Sequence, residues 1–361
     1  KADQSKYAEG YTASDLMTAT GTAKKNGKTI SLTFKMHHRM ALAVIELPKI
    51  VYDFTNEDIA DYTVPTPTSA DFTGSDAKPC RMTDGSYRYI VNHTATATEI
   101  TGKYADGSKE FTFTPSAATG SYKTYKIDGG TATPLTIPYT MQIGDYFCSS
   151  DNASGWYIIP KEFAPTENDN CIGIVLKAGR DDSGNWADNG NYTLKGSTIS
   201  MSKVHGYVLA LRDANGGNSC QWGSYGTEVG CDRNWPTGFN GYSSTQTIVA
   251  FNNAQGGTLQ DTFPAAYHAT TGYEAQYQAP ANTSGWLLPS GGQYQYWYNN
   301  RDVILRSVQN AGGDGWRNYY WSSSEYDSNP AIYVYLLNML SGGKNYGRKN
   351  LDYAVRACLA F

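Results

Sequence analysis

The sequence is short of several things, and each shortage excludes something. Only 17% of its 361 residues are charged, and Lys+Arg 29 against Asp+Glu 33 leaves a net charge of −4. With no basic face implied, the composition speaks against a nucleic-acid partner. No apolar stretch approaches the length needed to cross a bilayer. The six cysteines (Cys80, Cys148, Cys171, Cys220, Cys231 and Cys358) include no CxxC pair, which disfavours zinc. A Gly-x-Ser-x-Gly elbow, a His-Glu-x-x-His pair, a Walker loop and a Gly-x-Gly-x-x-Gly turn are also missing. The reaction classes those motifs serve therefore have no support. There is no internal repeat and no low-complexity tract. No signal peptide is present, and the polar, Gly/Thr-rich start at Lys1 is what a trimmed, exported protein would show.

What is present in quantity is glycine (37) and tyrosine (29), the profile of many short strands joined by Gly and Asn turns. A chain of this length suggests two domains. Residues 1–20 read as extended or loosely held. Strands are expected at Thr29–Lys35, Met40–Leu47, Tyr87–Val91, Ile100–Tyr104, Glu110–Thr114 and Tyr122–Ile127, with the first two as a pair. In Ile30-Ser31-Leu32-Thr33-Phe34 apolar and hydroxylated residues alternate, the period of a half-buried strand. Ala105-Asp106-Gly107-Ser108 carries a turn-type Asp-Gly. No helical period of useful length precedes residue 140, so the N-terminal part reads as an all-β sandwich. Residues 128–143 hold Gly129-Gly130, Pro134 and Pro138 and form the expected boundary. It separates a domain at 1–135 from one at 144–361.

The second unit mixes elements in α+β fashion. Cys171–Leu176 and Gly206–Leu211 read as short buried strands, and a helix is expected near Ser244–Asn253. Ser290-Gly291-Gly292-Gln293 fits a capping box. One helix is expected after it, with Val303, Ile304, Ser307, Val308 and Ala311 on one face and a stop at Gly312-Gly313. Of the cysteines only Cys220 and Cys231 are close enough in sequence to propose as a loop staple. The others read as buried small hydrophobes.

Two stretches carry a resemblance. Residues 32–45 (LTFKMHHRMALAVI) look like the early strand pair of the fimbrillins, the lipoprotein-derived pilins of Bacteroides-type bacteria. The second unit resembles the fimbrillin-associated C-terminal domain, which is similar to C-type-lectin-like folds. Its landmarks are Gly144-Asp145-Tyr146, residues 171–175, residues 205–211, Gly241-Tyr242, Phe263-Pro264-Ala265-Ala266, residues 285–290, the run Tyr320–Glu325 and the final Val355–Phe361. The resemblance implies a β-rich, α+β chain: a transthyretin-like β-sandwich followed by a C-type-lectin-like domain. It further implies a non-catalytic, adhesive subunit of a cell-surface fimbria, better suited to the tip than to the stalk. Such a subunit would be exported through an outer-membrane lipoprotein precursor. Its partners would be other pilus subunits joined by strand addition, and a host or bacterial surface glycan or protein. The triplets that supply calcium and sugar ligands in lectins (Glu-Pro-Asn, Gln-Pro-Asp, Trp-Asn-Asp) are absent. Calcium-dependent sugar binding is therefore not carried over, and no cofactor is expected. The alternative is a secreted carbohydrate-acting or lectin-fold enzyme, which would need converging carboxylates or a reactive pair among Cys148, Cys171 and Cys358.

Candidate ligand-binding residues come from aromatic and basic clusters. Trp316 and Tyr319 come after Gly312-Gly313-Asp314-Gly315 and are expected to be exposed, whereas Trp297 and Trp321 are expected in the core. The loop at residues 341–350 combines Lys344, Arg348 and Lys349 with Tyr346, either as a ligand-facing loop or as a solvated hairpin tip. For metal, Asp181–Gly190 offers oxygen ligands that suit calcium, but Trp186 and Tyr192 break the EF-hand pattern. A turn using Asp and Asn on its own backbone is the plainer reading. His37 and His38 are adjacent in a strand or turn, where they would point to opposite faces. His93, His205 and His268 stand alone and read as packed or surface histidines.

Overall fold

The computed structural model describes the chain except residues 66–67, 93–97, 106, 108, 128–133, 181–187, 189 and 343, and the side chains of Asp151 and Lys344. It is mostly β-sheet with a few helices. Two compact units are present: Lys1–Asp53 with Asp61–Tyr139, and Phe54–Ala60 with Thr140–Phe361.

In the first unit, β1 (Met17–Asn26) and β2 (Thr29–His38) form a ten-pair antiparallel hairpin from Met17↔His38 to Asn26↔Thr29. Then come β3 (Ala41–Glu46), β4 (Ile50–Phe54), β5 (Tyr62–Thr63), β6 (Ala70–Asp71) and β7 (Cys80–Arg81). The unit closes with β8 (Tyr87–Val91), β9 (Ile100–Tyr104), β10 (Lys109–Phe113), β11 (Tyr122–Lys126) and β12 (Leu135–Tyr139). One sheet runs β11-β3-β8-β7, with β11 parallel to β3, and two others run β10-β9-β6 and β12-β4-β5. Alternate residues Ala41, Ala43 and Ile45 of β3 and Tyr87, Tyr89 and Val91 of β8 point inward onto Phe72, Ile100 and Phe111. Period-two patterning thus makes one apolar layer between two sheets. The small side chain of Ala43 on β3 leaves room for Tyr89, its partner across the ladder.

Two expectations are corrected here. β2 does not pair with β3; its partner is β1, which begins at Met17 within the segment 1–20 expected to be extended or loosely held and runs beyond it to Asn26. The alternation in β2 also marks no half-buried face, because every residue of β1 and β2 is exposed. The turn at 105–108 and the Gly129-Gly130 boundary lie partly outside the described residues.

The second unit is built on a five-stranded sheet in the order β14-β13-β15-β16-β22. Its strands are β13 (Tyr146–Ser149), β14 (Trp156–Ile159), β15 (Cys171–Ala178), β16 (Gly206–Ala210) and the terminal β22 (Cys358–Ala360). Gly173 is required by close packing, since a Cβ there would collide with Val208 and the Leu209 carbonyl across the ladder. β17 (Cys220–Gln221) pairs with β21 (Asp352–Tyr353), and β18 (Tyr319–Glu325), β19 (Tyr333–Asn338) and β20 (Lys344–Arg348) form a separate antiparallel sheet. Helix α1 spans Gly241–Gln255, and three short helices cover Leu259–Thr262, Pro264–Ala269 and Thr271–Glu274 (α2–α4).

The capping box forms at Ser290: its Oγ accepts from Gln293 N and the Gln293 side chain reaches back to Ser290 N. It starts two helices rather than one, α5 (Gly291–Asn299) and α6 (Arg301–Asn310), because Asn300 leaves helical geometry at φ −114°, ψ 15°. Ile304, Ser307 and Val308 are buried as expected, but Val303 is exposed. The Cys220–Cys231 staple does not form, and all six cysteines are thiols. The intervening segment is held by Glu325 instead, whose carboxylate accepts from the amides of Val229, Gly230 and Cys231 at 2.8–3.0 Å.

Candidate functional site

The residues that the sequence singles out divide into buried frame and exposed surface. Trp297 and Trp321 are fully buried. Arg356 is buried beside Trp297: its Nε donates to the Ala210 carbonyl at 3.0 Å, and one Nη donates to the carbonyls of Leu211 (2.6 Å) and Asp314 (3.0 Å). Its other Nη lies 3.5 Å from Asp213, and its guanidinium packs 4.9 Å from the Trp316 ring. Asp213 also accepts from the Tyr320 hydroxyl at 3.1 Å, and burial pushes its carboxyl up. The Val-Arg pair near the C-terminus is thus a cationic peg that gathers strand ends.

Trp316, one of the ligand candidates, is half-buried and packs edge-on against Trp297 at 4.9 Å as well as against Arg356. Tyr319 is half-buried against Tyr353 at 5.5 Å. Tyr346 and Arg348 are different. The segment expected as a loop is in fact β20, an edge strand, because Lys344–Arg348 completes a ladder with β19. Spacing of two puts Tyr346 and Arg348 on one face. Tyr346 is 48% exposed, stacks on Tyr326 at 4.4 Å and meets Tyr333 edge-on at 5.2 Å. Arg348 is exposed and hydrogen-bonded to the Tyr333 side chain, which pushes its guanidinium up, with Tyr225 as a further neighbour. The backbone of Lys344 belongs to the same strand, and its side chain lies outside the described residues. Tyr225 and Tyr326 carried no sequence signal of their own, since only the tertiary fold brings Tyr326 onto Tyr346 and Tyr225 near Arg348. The cluster is a rigid Tyr/Arg surface with hydroxyl and guanidinium tips, the chemistry that suits contact with a glycan or a protein. Lys349, next in the chain, turns inward and is buried.

The second exposed feature is the β1–β2 hairpin, of which the alternation in Ile30–Phe34 suggests a half-buried strand. Ile30, Leu32, Phe34 and Met36 are 64%, 62%, 61% and 54% exposed on one face of β2. Opposite them in register stand Lys25, Ala23, Gly21 and Ala19. The other face is polar: Thr18, Thr20, Thr22 and Lys24 against His37, Lys35, Thr33 and Ser31. Each strand pairs only with the other among the described residues, so both outer edges are open.

Among the described residues no group of three or more His, Cys, Asp or Glu is placed to hold a metal. Most of Asp181–Gly190 lies outside the described residues. Within it, Asp188 is buried and accepts from the hydroxyls of Tyr192 (2.7 Å) and Tyr207. His37 and His38 face opposite sides of β2, and His38 bonds Asp15 at 2.7 Å. His205 packs against Trp156 and Phe361, and His268 against Tyr267. His93 lies outside the described residues. Cys358 is buried, and burial pushes its thiol up. The thiol of Cys148 is pushed up by its hydrogen bond to Cys171 and by burial. A nucleophile needs the opposite shift. No helix among the described residues is long and apolar enough to cross a membrane.

Comparison with known proteins gives one relative across the full chain. It is a Bacteroides ovatus protein named "Putative fimbrium tip subunit Fim1C", 26% identical over 416 residues, covering 100% of this chain and 73% of the relative. A crystal structure of a fimbrial protein from Bacteroides ovatus matches with a TM-score of 0.47 at 20% identity, over 100% of this chain and 79% of that one. No family model matches the sequence.

Proposed function

We propose that this chain is a non-catalytic structural and adhesive subunit of a surface fimbria, placed at its tip and joined to neighbouring subunits by β-strand addition. The observation that carries the proposal is the uncovered β1–β2 hairpin. A two-stranded ribbon with one apolar face gains little stability alone. Long, open strand edges beside exposed apolar side chains are what an added strand covers, with main-chain hydrogen bonds giving affinity and alternate side chains giving specificity. The full-length relative, named as a fimbrium tip subunit, supports the same reading.

In this reading the first unit is the transthyretin-like sandwich that assembles. The second is the C-type-lectin-like domain that carries adhesion, with the border between 135 and 144. The chain reaches the surface through an outer-membrane lipoprotein precursor. Tyr346 and Arg348 lead the ligand-facing residues, with Trp316, Tyr319 and Lys344 as the remaining candidates. The ligand is a surface glycan or protein.

The test is recovery of the chain with purified fimbriae. An antibody shown to recognise the chain should detect it in fimbriae sheared from cells. It should fail to do so when Leu32→Glu and Phe34→Glu are introduced together. Fimbriae that never contain the wild-type chain would sink the assembly role. Unchanged incorporation of the double variant would remove the hairpin from it.

A further inference from the structure

A residue missing from one ladder brings two cysteines together. β13 and β15 pair as Tyr146↔Ile174 and Phe147↔Gly173, and the register then slips so that Cys148 lies opposite Cys171. Without the slip Cys148 would face Ile172, which is buried. Such bulges re-aim side chains. Directly opposed residues in an antiparallel pair have Cα atoms about 4.5–5.5 Å apart. A disulfide requires about 4.4–6.8 Å. The two side chains also share a face, and the Cys148 thiol hydrogen-bonds the Cys171 sulfur. On its other side Cys148 is paired with Tyr157, whose hydroxyl donates to Asp169 at 3.2 Å.

The two sulfurs differ in access. Cys148 is fully buried in β13, between β14 and β15. Cys171 begins β15 and is half-buried, directly after exposed Asn170. That asymmetry suits thiol–disulfide exchange, in which an accessible thiol is attacked or attacks first and a shielded neighbour resolves the intermediate. The other four cysteines have no such partner: Cys220 lies in β17, Cys231 in the segment held by Glu325, Cys358 in β22 and Cys80 in the first unit.

We propose that Cys148 and Cys171 are an oxidation site that closes into a cross-strand disulfide, taking its oxidising equivalents from a small disulfide or a dithiol–disulfide oxidoreductase. The Cys171 thiolate attacks one sulfur of the reagent disulfide. That S–S bond breaks, one reagent thiol leaves, and Cys171 carries a mixed disulfide. The mixed disulfide removes the Cys171 thiol, the largest cause that holds the Cys148 thiol up; Cys148 then loses its proton and attacks the Cys171 sulfur, forming the intramolecular bond and releasing the second reagent thiol. Two protein thiols lose two electrons and two protons, and the two reagent thiols carry both away. The product clamps β13 to β15 at the bulge, the weakest point of their ladder. The site is independent of the assembly and adhesion readings above.

The experiment treats the folded, reduced, full-length chain with oxidised glutathione. It is then denatured, alkylated and digested without reduction for mass spectrometry. The expected result is a loss of alkylatable thiols from six to four, with the peptides of Cys148 and Cys171 linked and lighter by two hydrogens. In Cys148→Ser the glutathione should remain on Cys171, because no thiol resolves it. Six alkylated cysteines after treatment would overturn the proposal, as would Cys171 linked to any other cysteine. The wild-type measurement decides the matter even if a serine variant does not fold.

Discussion

Lys349 Nζ lies 2.6 Å from Glu325 Oε1, and both side chains are fully buried. The pair is one half of a closed arrangement. Glu325 also accepts three backbone amides from Val229–Cys231. Lys349 donates to the Thr227 carbonyl at 2.7 Å and sits over the Trp222 ring at 4.5 Å. Burial pulls its ammonium below the usual lysine value, while Glu325 opposes that shift. Removing one partner of such a pair strands the other charge without water. Lys349→Met should therefore destabilise the fold by about 3–5 kcal/mol in urea unfolding. Adding Glu325→Gln should cost less than the sum of the two single changes. Additive effects would mean the pair is not coupled.

Two half-buried histidines should make stability sensitive to mild acid. Burial is the main cause that lowers His205, with Lys203 adding repulsion, and burial alone lowers His268, both from 6.5. The unfolded chain then binds protons before the folded one does, so the contribution is complete above pH 6.5 and lost as pH falls from there through the folded values. Replacing both with Gln should flatten the change in urea midpoint between pH 7 and pH 5. An identical slope in the variant would refute the assignment.

The helix start at Ser290 can be tested by one deletion. Its Oγ caps Gln293 N and also donates to the Gly238 carbonyl at 2.6 Å in a fully buried position. Ser290→Ala should cost about 1–2 kcal/mol, the upper part of the range for a lost cap. Chemical denaturation reads this directly.

Phe34 and Leu32 should matter for assembly and not for the isolated chain. Both side chains are more than half exposed. Phe34→Thr is expected to move the unfolding free energy of the monomer by no more than about 0.5 kcal/mol. A larger loss would show that the hairpin is already packed within the chain.

Adhesion should depend on the Tyr346 face. Tyr346→Ala removes the ring stacked on Tyr326, and Arg348→Ala removes the adjacent guanidinium. Each should weaken attachment of fimbriated cells to glycan- or protein-coated surfaces about tenfold, the size of a modest contact hot spot. Unaltered attachment with both changes would move the ligand surface elsewhere.

Much of this fold is legible in local pattern. The strands at Tyr87–Val91 and Ile100–Tyr104 have the bounds that their alternation suggests. The capping box at Ser290 needs only residues within one helical turn. Trp297 and Trp321 are core because their apolar area is too large to leave in water. The aromatic and basic residues near the C-terminus announce a Tyr/Arg surface, but whether Tyr346 lies on a loop or a strand depends on β19, several residues away. Asn300, which divides one expected helix into two, carries no breaker signal as strong as Gly or Pro.

What the sequence decided by itself is therefore the set of short-range structures and the preference for burial, because both depend on neighbours within a few residues. Tertiary structure alone decided which apolar faces are covered. Ile30, Leu32, Phe34 and Met36 have the pattern of a buried face and lie exposed because no second layer among the described residues covers them. It alone joined Glu325 to Lys349, and the bulge in β15 alone set Cys148 against Cys171. Register and pairing between distant segments are set by the packing of the whole unit, and a one-residue slip changes every partner along a strand.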